Sequence, residues 1–168
     1  MSEHEELAHY ELVGLDGVVR RLAVPPPGIE IRSAVEPADL SNIADVYNAA
    51  FERVDNKVTE AHVAGYARHV GMTAPGVFLA FDGALAVGVV VGRLDVPAPG
   101  GETRRAGVEL LMVRPEYRRR GIAAALLGTL LAWLAATGVE VVGATVDTAD
   151  REMGVETLLE RYGFRRVG

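Results

Sequence analysis

The stretch Val108-Glu109-Leu110-Leu111-Met112-Val113-Arg114-Pro115-Glu116-Tyr117-Arg118-Arg119-Arg120-Gly121-Ile122-Ala123 concentrates the groups that could do chemistry. Its first half suits a strand ending near Val113. Pro115 lacks the N–H that a ladder needs and breaks the pairing. The chain then turns through Glu116–Arg120 and starts a helix at Gly121. A helix start leaves backbone N–H groups unpaired and carries partial positive charge. Arg118, Arg119 and Arg120 add full charges there, while Gly121 and Ala123 present almost no side chain. A bulky anion can reach the backbone, which suits a pyrophosphate cradle. The alternative is a solvated Arg-Arg-Arg turn whose small neighbours only let helix and sheet pack closely. A lone glycine turn does not separate the two.

The flanking elements place this stretch inside an α/β domain. Ile29–Ala34 reads as a strand. Helices follow over Leu40–Phe51, opened by Pro37 and Asp39, and over Glu60–Val70, with Thr59 as N-cap. Gly76–Phe81 and Ala84–Leu94 are strands joined through Asp82-Gly83. Ala106–Val113 is a strand, and the helix from Gly121 runs to about Thr137, where Gly138 stops it. Val139–Val146 is a strand, Asp150–Tyr162 a helix ended by Gly163, and Phe164–Val167 a last strand. Alternation after residue 106 implies a right-handed crossover between parallel neighbours. Before all this, Tyr10–Val13 and Val18–Val24 read as a hairpin about Asp16-Gly17. Pro25-Pro26-Pro27-Gly28 then makes a stiff break. Residues 1–27 are therefore expected to be an appendage, with the domain proper over 28–168.

The 168 residues suit one domain, and the chain is 49% hydrophobic and 24% charged. That balance excludes a disordered chain or a disulfide-dependent miniprotein. With 0 cysteines there is no thiol nucleophile and no Cys-ligated metal. The formal net charge of -6 argues against a nucleic-acid partner. Gly121–Val139 is uncharged, but its glycines, alanines and threonines dilute it, so it reads as a helix crossing a sheet rather than a membrane span. The acidic Met1–Glu6 lacks the apolar run of a signal peptide, which gives a cytoplasmic address by default.

Arg118, Arg119-Arg120, Gly121, Ile122, Ala123 resembles the acetyl-CoA-binding motif of the GNAT superfamily of acyl-CoA N-acyltransferases. That motif is Arg or Gln, two residues, Gly, one residue, then Gly or Ala. The strand exit Val113–Tyr117, the helix start Ala125-Leu126-Leu127 and the element order from Ile29 to Gly168 are also similar. The resemblance implies a central mixed, mostly antiparallel sheet with helices on both faces. That sheet should splay between the strands at 106–113 and 139–146. Acetyl-CoA should lie in the splay as co-substrate, without a metal. Backbone groups of Leu111, Met112 and Val113 would pair with the pantetheine arm like an added strand. Amides of Arg119, Arg120, Gly121, Ile122, Ala123 and Ala124 would hold the pyrophosphate. An N–H near Met112 would polarise the thioester carbonyl.

The activity implied is acetyl transfer to a primary amine of a small molecule or an N-terminus. The runner-up is an acyl-CoA sensor or degenerate module without turnover. An amine must lose a proton to attack, and Glu109 is the candidate base. Strand alternation puts Glu109, Leu111 and Val113 on one face. The alternative is an edge-exposed Glu, or an ion-pair partner for Arg104 or Arg105. Family members often carry a Tyr four residues before the Gly of a closing Gly-Phe pair. Here Gly163-Phe164 matches but the Tyr position holds Leu159, and Tyr162 reads as packing. Phe51, Asp55, His62, Tyr66 and Asp147 are candidates for the acceptor pocket, each with a core, rim or cap reading beside it. His62 and His69 lack a third ligand for a metal.

The family's closing hairpin has no counterpart after Phe164. Truncation, the N-terminal hairpin or a neighbouring chain could account for the place beside the last strand. The expectation is that the hairpin completes the sheet, in cis or in a swapped homodimer.

Overall fold

Among the described residues, short apolar-rich segments form seven strands, buried on both faces at the centre of the sheet, and longer apolar stripes form the helices that cover them. The computed structural model describes residues 6–19, 23–35, 37–51, 57–70, 76–95, 100 and 103–168. In chain order the elements are Ala8–Val13 (β1), Asp16–Val19 (α1), Ile29–Ser33 (β2), Leu40–Ala50 (α2), Glu60–Val70 (α3), Val77–Asp82 (β3) and Leu85–Leu94 (β4). Then come Arg105–Val113 (β5), Ile122–Ala136 (α4), Val141–Val146 (β6), Thr148–Glu152 (α5), Val155–Arg161 (α6) and Arg165–Val167 (β7). The strands make one mixed sheet in the order β2-β3-β4-β5-β6-β1-β7. Every neighbouring pair is antiparallel except β5 and β6, which the α4 crossover makes parallel.

Apolar side chains fill both faces. On one, Leu126, Leu127, Leu130, Leu131 and Leu134 of α4 are fully buried in a cluster with Phe78, Val87, Val142 and Phe164. Burying each leucine is worth about 1.5–3 kcal/mol. On the other, Ile43, Ala44 and Val46 of α2 and Val63 of α3 pack on Leu79, Val89 and Met112. The uncharged run from Gly121 is thus a 15-residue core helix. No helix among the described residues is long and apolar enough to cross a membrane.

The N-terminal segment differs from the expected hairpin. β1 is a strand, but Asp16–Val19 is a helical turn rather than the start of a second strand. Leu15 and Val18 are both buried in the α4-side core. Their three-residue spacing suits a helical turn, so burial overrides the Asp-Gly turn signal. β1 itself lies between β6 and β7, with Tyr10 opposite Ala144 on one side and Arg166 on the other. The place beside the last strand is filled from within the same chain. The single helix expected over 150–162 is two, because Gly154 adopts φ 80° and breaks it.

Asp39, the residue before α2, is 2% exposed. Arg32 of β2 donates to both its oxygens at 2.7 and 3.0 Å, and the Val35 amide and Asn42 also donate to it. These bonds, Arg32's first, hold its carboxyl at about 2. A carboxyl depressed on folding adds stability above its unfolded pKa and loses it as pH falls toward the folded value. Between pH 4 and pH 2 the protein should therefore lose about 2 kcal/mol from this group. Urea melts of wild type and Asp39→Asn should differ at pH 6 and converge near pH 2.

Candidate active site

The β5–β6 ladder runs from Arg105–Val141 to Val108–Ala144 and stops there, although both strands continue. Past that point the strands enclose a gap of about 270 Å³. Glu109–Met112 line one side and Ala144–Asp147 the other, with Tyr47 of α2, Phe51 just after it and Leu159 of α6 around it. A narrower hollow shares Leu111, Met112, Met153 and Val155 with the gap and continues to Val113, Arg118 and Ala123. One groove thus leads from the start of α4 to Glu109.

The α4 end gathers unpaired hydrogen-bond donors. After a single 3-10 turn at Pro115–Tyr117, Arg119 and Gly121 take left-handed φ values of 63° and 86°. The first intrahelical bond runs from the Ala125 amide to the Gly121 carbonyl at 3.1 Å. The amides of Ile122, Ala123 and Ala124 precede it and have no partner in the helix, and Gly121 offers no side-chain cap. Arg118 Nε donates to the Val113 carbonyl at 3.1 Å, while its buried Nη2 has no hydrogen-bond partner among the described residues. Arg120 lies 4.9 Å over the Tyr117 ring. Orphan amides, an orphan guanidinium nitrogen and a side-chain-free turn fit a diphosphate.

At the other end, Val91 pairs with Leu110 and Gly92 with Val108, so Glu109 is an extra residue in β5. This bulge overturns the expected alternation. Leu111 and Val113 pack on the α4 side. Glu109 instead meets Arg93 of β4, which donates to its Oε1, and the Tyr66 hydroxyl of α3, 3.4 Å from its Oε2. A bulge re-aims a side chain in this way and often does so beside a site. The carboxylate's partner is thus Arg93, not Arg104 or Arg105; Arg105 pairs with Glu11 at 2.6 Å. The Glu109 side chain retains 19% exposure. Burial, then the Glu109 charge, raise the Tyr66 hydroxyl pKa above its usual value.

Residues 40–164 match the Acetyltransferase (GNAT) family model. The chain belongs to the GNAT acetyltransferase family. Solved structures agree on the fold. A GCN5-related N-acetyltransferase from Sphaerobacter thermophilus is 24% identical with a TM-score of 0.68, covering 96% of this chain and 48% of its own. The present chain thus spans about half the length of that protein. YncA from Salmonella typhimurium, solved with its cofactor acetyl-CoA, is 19% identical with a TM-score of 0.63, covering 84% of this chain and 82% of its own. The ribosomal-protein-S18-alanine N-acetyltransferase from Escherichia coli is 19% identical with a TM-score of 0.63, covering 83% and 79%. No curated protein matches the chain.

Within this GNAT domain the structure brings Phe51, Asp147 and Glu109 to the gap and sets Tyr66 against Glu109. His62 is exposed and is not among the gap's lining residues; its ring accepts from the Thr59 amide, and its own amide bonds the Thr59 hydroxyl. That is an N-cap. Asp55 lies outside the described residues. Asp147 also bonds the Asp150 amide at 2.8 Å at the start of α5. Leu159 lines the gap and supplies no proton there. Tyr162 is 6% exposed and donates to the Ala124 carbonyl, wedged where a Cβ on Gly128 would sit 2.7 Å from its hydroxyl. Burial raises its pKa. Arg93 and Asp95 of the same site escaped the sequence reading. Arg93 stands 16 residues from Glu109 and meets it only through the ladder; the signal available was an arginine ending an apolar strand.

Proposed function

We propose that the chain is an N-acyltransferase that moves acetyl from acetyl-CoA to a primary amine of a small molecule or an N-terminus. Arg118, the turn through Arg119–Gly121 and the amides of Ile122–Ala124 would hold the pyrophosphate. Leu111, Met112 and Val113 would pair with the pantetheine arm. Acetyl-CoA supplies an acyl carbon bearing a thiolate leaving group. Glu109 takes the proton of the attacking amine, and the new C–N bond forms as the C–S bond breaks. The thiolate leaves without help from the position of Leu159.

The observation that carries this reading is the continuous groove from the unpaired amides of α4 to Glu109, opened where β5 and β6 part at Val108–Ala144. Calorimetry with acetyl-CoA and thiol release over a panel of amines test it. Binding with turnover supports the enzyme; binding without turnover across the panel overturns the transfer step. Replacing Arg118–Arg120 with glycine should weaken acetyl-CoA binding at least about tenfold, since charged hydrogen bonds are worth about 1.5–3 kcal/mol. The remaining binding should depend less on salt.

A further inference from the structure

The acceptor can be narrowed, on the assumption that the transfer reading above holds. Beyond the edge of α2 and α3, a second hollow of about 490 Å³ lies over β4, β5, β6 and β1. Two glycines stand side by side in its floor: Gly107 and Gly143 are direct partners in the parallel ladder. Arg93 and Glu11 flank them in the same cross-strand row. A Cβ on Gly107 would lie 3.2 Å from Arg93 Nη2 and 3.5 Å from Glu109 Oε1, so the glycine also makes room for that pair.

Two sets of ions wall the hollow. Arg105 and Glu11 pair one to one at 2.6 Å. On the other wall Arg93 serves two carboxylates, Asp95 at 2.8 Å and Glu109. Within these pairs one negative charge is uncompensated, and it sits on the wall that holds Glu109. His9 and Thr145 bond each other at 3.1 Å and add hydrogen-bonding groups. The hollow and the gap share Val108, Glu109, Ala144 and Thr145. A molecule resting over Gly143, beside the pair that covers Gly107, therefore presents one end to Glu109, where the groove from α4 arrives.

We propose that this hollow holds the body of the acceptor, and that the acceptor is a small primary amine of net positive charge bearing hydroxyls or amides. Its ammonium balances the excess carboxylate. A carboxylate on the acceptor meets Glu11 and Glu109 while both arginines are already engaged. An apolar body strips water from the ion pairs and gives nothing back.

A matched series tests this: 2-amino-1,3-propanediol, serine and 3-aminopentane, which exchange a hydroxymethyl for a carboxylate or hydroxyls for methyls. The diol should exceed each of the others at least tenfold in kcat/KM. Glu11→Gln frees Arg105, and should raise the serine-to-diol ratio about tenfold with the Kd for acetyl-CoA unchanged. Preference for serine or 3-aminopentane in the wild type, or an unchanged ratio in Glu11→Gln, overturns the proposal. If acetyl-CoA binds but no amine in a wider panel releases thiol, the transfer reading falls and takes this inference with it. Turnover with the wrong preference removes the inference alone.

Discussion

Glu109→Gln should lower kcat by about a hundredfold or more while the Kd for acetyl-CoA changes less than twofold. General-base catalysis contributes roughly 10²–10⁴ in rate. Glutamine keeps the shape and can still meet Tyr66, but it cannot take a proton. Arg93 keeps Asp95 as partner at 2.8 Å, so the variant should melt near the wild-type temperature. The deficit should shrink with an acceptor that is already unprotonated in solution, such as a hydroxylamine, because no proton then needs to leave before attack. A uniform loss across acceptors of every basicity, or a parallel loss of acetyl-CoA affinity, would show that Glu109 only shapes the site.

What the sequence discloses here depends on how far apart the cooperating residues lie. The turn proposed to hold the pyrophosphate is readable because all its parts are contiguous: Pro115 ends the strand, the arginines carry charge and Gly121 takes the left-handed φ. The parallel pairing of β5 and β6 is readable from a strand–helix–strand crossover, whereas their parting beyond Val108–Ala144 is implied only by the family resemblance. The direction of Glu109 is not. Alternation assumes one residue per step, and nothing in Val108–Val113 marks Glu109 as the extra one; the bulge exists only against Val91 and Gly92. Arg93, Asp95 and Glu11 join the site through pairing between distant strands, and pairing registers are long-range facts. The Asp16-Gly17 pair misleads for a related reason. Its turn propensity is real, but burial of Leu15 and Val18 under α4 outweighs a local preference of a fraction of a kcal/mol.

The position of β1 leads to the other large effect. Deleting residues 1–19 should abolish the cooperative unfolding transition and leave an aggregating chain. The deletion removes Tyr10, Leu12, Leu15 and Val18, all buried in the α4-side core. At about 1.5–3 kcal/mol each, their burial amounts to roughly 6–12 kcal/mol. A domain's whole stability is about 5–15 kcal/mol. The loss also strips the bond from the Tyr10 hydroxyl to Glu156 at 2.6 Å and leaves β6 and β7 with open edges facing an empty lane. Open edges of that kind pair with other chains. A peptide of residues 6–19 added in trans should refill the lane, restoring the intact protein's mass by light scattering and a single melting transition. Because β1 also carries His9 and Glu11 into the polar hollow, the same peptide bearing Glu11→Gln should restore the fold while shifting acceptor preference as the intact variant does. A deletion product that keeps the intact protein's assembly state and melting temperature would mean that β1 decorates the sheet rather than completing it.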